Sequence, residues 1–144
     1  MKSIHFVGEW FDCRVPTHAL AEPQTIQARC LEQIACRHLP VSYQHFTRTA
    51  AGGVIGTMVG KDIHLVVRSF PADNAVIADL HVQRMEVSEI SAAMRVFDGL
   101  RDAFRPMRAL LHRVPPQGQR PCTQGRAPRA PTEVWMAKAS VRAS

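Results

Sequence analysis

The chain has 144 residues, 46% of them apolar and 21% charged, which fits one compact domain with a real core and excludes fibrous or fully disordered classes. No run approaches the ~18 consecutive apolar residues that cross a bilayer, and Glu9 interrupts MKSIHFVGEW before a signal-peptide core can form, so a cytoplasmic location is expected. The net charge of +6 is uneven: residues 115–144 carry five basic side chains against Glu133, for +4, and the body holds 13 basic and 11 acidic residues, for +2. A nearly neutral body with a basic Pro-rich tail reads as a domain with a solvated appendage, so nucleic acid is not the expected partner.

From Ile4 to Asp12 the residues alternate, with Ile4, Phe6, Gly8 and Trp10 on one side and His5, Val7, Glu9 and Phe11 on the other, as in a strand. Pro16 and Pro23 break the pattern. Ile26, Cys30, Leu31 and Ile34 then recur at helical spacing, predicting a helix over 25–38 that Pro40 stops. Four β-rich runs follow, at 41–46, 54–59, 63–68 and 76–82, separated by the turn signals Gly52-Gly53, Gly60-Lys61-Asp62 and Pro71-Ala72-Asp73-Asn74. Such close spacing predicts an antiparallel meander. Ser88 is the expected N-cap of a second helix with a buried stripe of Ile90, Met94, Phe97, Leu100 and Phe104, ended by Pro106. Residues 107–114 return as a last strand.

This order predicts an α+β fold over residues 1–114, a mostly antiparallel sheet with two helices on one face. The other face needs a cover, which a second copy of the chain would supply economically. The tail, 115–144, is expected to be extended or disordered, with Val134-Trp135-Met136 able to dock locally.

The cysteines, Cys13, Cys30, Cys36 and Cys122, lack C-x2-C spacing, and with no signal peptide they are expected to be reduced. His5, His18, His38, His45, His64, His81 and His112 form neither an H-x3-H pair nor an HExxH motif. No metal site is expected from these spacings, and each histidine is read as surface or satisfied core.

His5, Glu9, Phe11 and Cys13 stand in the register of a strand reading H-L-x-x-E-x-Y-x-C. Gly53-Val54-Ile55-Gly56, Asp62-Ile63-His64, Arg68-Ser69-Phe70-Pro71-Ala72 and Asp79-Leu80-His81-Val82-Gln83 follow, without a gap, the order G-V-S-G, E-S-H-x-x-x-H-T-W-P-E and A-x-D-x-F-T-C-G. On these residues the chain resembles the bacterial S-adenosylmethionine decarboxylases, the pyruvoyl enzymes of polyamine (spermidine) biosynthesis, over residues 4–114. The resemblance implies that family's sandwich and a dimer.

The departures fall on the chemistry. In the family a serine at position 63 attacks the preceding carbonyl, cleaves the chain and becomes the pyruvoyl group. Here it is Ile63, which offers neither nucleophile nor leaving group, so no pyruvoyl and no other cofactor is expected. The serine of G-V-S-G is Ile55, the processing histidine is Arg68, and the proton-donating cysteine is Gln83. Ser69 and Lys61 are the nearby groups that could offer substitute chemistry.

The ribose-binding glutamate of W-P-E is Ala72 and its tryptophan is Phe70. Pocket candidates are thus Glu9, Phe46, His64, Arg68 and Phe70. Phe46 is read either as an adenine-stacking aromatic, which would require a two-residue insertion, or as core. Arg68 suits an anionic or carboxylate ligand better than a sulfonium.

The resulting expectation is a catalytically inactive decarboxylase homologue with a binding or regulatory role, as a homodimer or paired with an active paralogue. Two alternatives remain open at this point: a decarboxylase working by another route, and a nucleic-acid-binding module using the basic tail.

Overall fold

The computed structural model describes residues 3–36, 39–83, 86–115 and 134–137. Its strands are β1 (Ser3–Phe11), β2 (Val41–Arg48), β3 (Val54–Gly60), β4 (Ile63–Phe70), β5 (Ala75–Gln83), β6 (Arg108–Val114) and β7 (Val134–Ala137). Its helices are α1 (Thr17–Ala21), α2 (Pro23–Ala35) and α3 (Val87–Phe104). All strands join one seven-stranded sheet in the order β2-β3-β4-β5-β1-β6-β7, and every neighbouring pair is antiparallel. The expected meander is the run β2 to β5, and β1 lies between its last strand and β6.

Alternation along the strands decides which face is buried. Ile63, Leu65 and Val67 of β4, Val76, Ala78, Leu80 and Val82 of β5, Val54 and Met58 of β3 and Trp10 of β1 all face the helices and form the core. α2 contributes Ile26, Cys30 and Ile34, and α3 contributes Ala93, Val96, Phe97, Leu100 and Phe104. Gly8 lets α3 come close, since a Cβ there would stand 2.5 Å from the Phe97 ring.

Three local expectations need correction. A five-residue helix, α1, sits between Pro16 and Pro23, where only a break was expected, and it buries Leu20 completely. Pro23 does not merely end a strand but begins α2, where its missing N–H is not needed. Ser88 is not the N-cap of α3, because the helix already begins at Val87, and the buried stripe runs through Ala93 and Val96 while Ile90 and Met94 are only half-buried. At the tail, residues 134–137 pair with β6 as the seventh strand, and 116–133 and 138–144 lie outside the described residues.

Among the described residues the core holds one buried polar side chain, Ser69, at 4% exposure. Its Oγ donates to the Leu20 carbonyl and accepts the Val54 N–H at 2.8 Å, tying α1, β3 and β4 together. The same corner excludes any side chain at Gly53, whose Cβ would lie 2.1 Å from the Ser69 carbonyl oxygen. Ser69→Ala leaves a buried backbone N–H without its acceptor and is expected to lower stability by about 1–3 kcal/mol, measured as a shift in the urea midpoint at constant slope.

Candidate functional site

The sheet face opposite the helices carries the polar chemistry. Because β1, β4 and β5 are in strict antiparallel register, His5 lies opposite His81 and His81 opposite His64, so three imidazoles form one row across adjacent strands. The His5 and His81 rings stack with centroids 3.6 Å apart, and those of His81 and His64 are 6.1 Å apart. Asp79 is two residues from His81 and therefore on the same face of β5. One of its oxygens is in hydrogen-bond contact with His5 Nε2 and lies 3.5 Å from His81 Nε2.

A second diagonal pair, His112 Nε2 to Glu9 Oε2 at 2.9 Å, joins β6 to β1. His64 Nε2 meets Thr57 Oγ1 at 3.0 Å. Burial pushes the His81 pKa below the ordinary imidazole value, His5 and His64 push the same way, and the Asp79 carboxylate opposes them. Around this row the face is half apolar, with Val7, Ile55, Val59, Val66, Ile77 and Leu110 half-buried.

Two cavities flank the β3–β4 hairpin. One, of about 400 Å³, lies at its turn and is lined by residues that include Lys61, Asp62, Ile63, His64, His81 and Gln83. The other, of about 480 Å³, lies at the far end, against Ile55, Arg68, Ser69, Phe70, Pro71 and Ala72. Of the pocket candidates, His64 thus falls at one end and Arg68 and Phe70 at the other, with about 13 Å of strand between His64 and Arg68.

Ile63 points into the core at 6% exposure, and the Asp62 carbonyl preceding it, in the β3–β4 turn, accepts the Gln83 N–H at 2.8 Å. No residue from Gly60 to Ile63 has positive φ. Glu9 is engaged with His112, away from both cavities. Phe46 stands on the helix side of the sheet, packed over Gly56, where a Cβ would meet its ring at 2.1 Å. Ser69 is taken up by its two backbone partners, and Lys61 sits exposed in the β3–β4 turn.

His5, Asp79 and His81, none of them a pocket candidate from the sequence, converge with donor atoms all within 4.8 Å of one another. The pair Asp79-x-His81 was a visible signal, since i and i+2 share a strand face. The third member is 74 positions away from Asp79 and arrives only through the β1–β5 register.

Chemically, the row can accept and hold protons or a cation. The two cavities offer one recess of mixed polarity and one that is largely apolar. Among the described residues no helix is long and apolar enough to cross a membrane.

No protein-family model and no curated protein matches the sequence. Among solved structures, the adenosylmethionine decarboxylase from Aquifex aeolicus superposes with a TM-score of 0.67 over 83% of this chain and 97% of that one, at 12% identity. The chain therefore has a mixed α/β fold whose antiparallel sheet and one-sided helices resemble the adenosylmethionine decarboxylase sandwich.

Proposed function

We propose that this chain is an S-adenosylmethionine decarboxylase-like protein related to polyamine biosynthesis that has lost the reaction and works by binding or regulation. The observation that carries the reading is position 63. A pyruvoyl group must come from a serine, and the residue there is an isoleucine packed in the core, next to a carbonyl held by the Gln83 N–H. Ordinary side chains do not supply the electron sink that carbon dioxide loss requires. Ser69, the hydroxyl singled out in the sequence, is fixed between two backbone groups.

The test is release of labelled carbon dioxide from carboxyl-labelled S-adenosylmethionine. No release above a blank is expected, and turnover would overturn the reading.

The functional unit in this reading is a dimer, formed by covering the open sheet face with a second copy. Half-buried Val7, Ile55, Val66, Ile77 and Leu110 on that face favour a cover, and Glu9 and Asp79 alongside Arg68 and Arg108 give it both charge signs. A face with apolar residues and both charge signs supports self-association, since a two-fold interface pairs one patch with itself. A Val66→Gln/Ile77→Gln double variant is expected to shift the protein from dimer to monomer in sedimentation analysis while keeping its far-UV circular dichroism. A monomeric unsubstituted chain, or a dimer indifferent to this variant, would contradict the arrangement. The active-paralogue version is tested by mixing the chain with an active decarboxylase and measuring co-sedimentation.

A further inference from the structure

We propose that His5, Asp79 and His81 form a binding site for one divalent transition-metal ion of the zinc type, with a coordination position left open to water. The site uses none of positions 55, 63, 68 or 83, and its donor geometry does not depend on the decarboxylase-like reading, although it lies on the face that reading covers with a second copy.

The geometry is that of a ligand set. Two donors each about 2.1 Å from one tetrahedral zinc ion stand about 3.4 Å apart. His81 Nε2 and the Asp79 oxygen are separated by 3.5 Å, and all three donors fall within 4.8 Å of one another. Both imidazoles turn the same atom, Nε2, toward the same carboxylate oxygen, so a small rotation of His5 away from Asp79 opens room for an ion between the three. The backbone under them is paired on both sides. His5 and His81 are directly opposite in the β1–β5 ladder and Asp79 is two residues along the same face, with β4 and β6 closing both sides.

The donor set selects the ion. Two imidazole nitrogens and one carboxylate suit zinc and its first-row neighbours, whereas calcium and magnesium prefer all-oxygen sites. The other histidine–carboxylate pair, His112 with Glu9, does not extend to a three-donor cluster among the described residues. His64, the third imidazole of the row, is engaged with Thr57 and remains outside the set.

The test uses the untagged full-length chain, stripped with a chelator and titrated with zinc chloride by calorimetry. One ion per chain is expected. His5→Ala, His81→Ala and Asp79→Asn should each weaken binding by about 100-fold or more, beyond the roughly 10–100-fold typical of a lost outer-sphere partner. His18→Ala and Cys36→Ser, both exposed and neither part of the donor cluster, should leave it unchanged.

Cobalt loading of the unsubstituted chain supplies a readout that does not depend on any variant folding: visible ligand-field bands with no thiolate charge-transfer band. Absence of binding, unchanged affinity in all three triad variants, or a thiolate band that disappears with Cys36→Ser would each overturn the proposal.

Discussion

Replacing Trp10 by alanine is expected to destabilise the protein by about 3–5 kcal/mol, the largest single-residue effect in the body of the chain. The indole is 1% exposed at the centre of the contact between β1 and α3. Its ring centroid lies 5.4 Å from that of Phe97 in an edge-on arrangement and 5.9 Å from that of Phe104. Truncation removes both aromatic contacts and leaves a cavity, because the helix cannot settle onto the sheet without displacing Phe97 from its seat over Gly8. A loss of this size is a large share of the ~5–15 kcal/mol that holds a domain together. Urea unfolding followed by far-UV circular dichroism measures it, since tryptophan fluorescence would change with the substitution itself. A shift below about 1 kcal/mol would mean that α3 does not pack on β1 as described.

Ile63→Ser should cost about 2–4 kcal/mol and still give no chain cleavage. The cost follows from a side chain at 6% exposure losing its apolar carbons while a hydroxyl enters the core. The chemistry fails for separate reasons. The Asp62 carbonyl, in the β3–β4 turn, remains bonded to the Gln83 N–H, and no residue of that turn has positive φ. Arg68 stays protonated at any working pH, and Gln83 is not an acid. The variant therefore separates stability from self-processing: the urea midpoint falls and the denatured mass stays whole. Cleavage in Ile63→Ser would show that positions 55, 68 and 83 are dispensable.

Much of the architecture was legible because the strands alternate cleanly. In β1 the assignment of Ile4, Phe6, Gly8 and Trp10 to one face and His5, Val7, Glu9 and Phe11 to the other matches the sheet, since a two-residue period leaves no choice of phase once Trp10 is buried. The helix α1 was not legible: five residues between two prolines are too few to display a 3.6-residue period, and only tertiary burial of Leu20 fixes them. For residues 134–137 the capacity of Val134-Trp135-Met136 to dock was legible but its form was not, because a four-residue strand at a sheet edge is defined by its partner β6.

The candidate site was legible in parts and not as a whole. Spacing placed Ile55, Ile63, His64, Arg68 and Phe70 on the β3–β4 hairpin but gave no view of the two ends they occupy. The face taken by Phe46 depends on the β2–β3 register, which sets its ring over Gly56. The His5, Asp79 and His81 convergence depends on register alone, and no local motif encodes a pairing between residues 5 and 81.

The most direct test of the central claim is the intact mass of the purified full-length chain under denaturing conditions. A single species at the full-length mass is expected, with an unmodified isoleucine at position 63. Two fragments, one blocked at its N-terminus by a carbonyl group, would contradict it and require that another residue generates the pyruvoyl group.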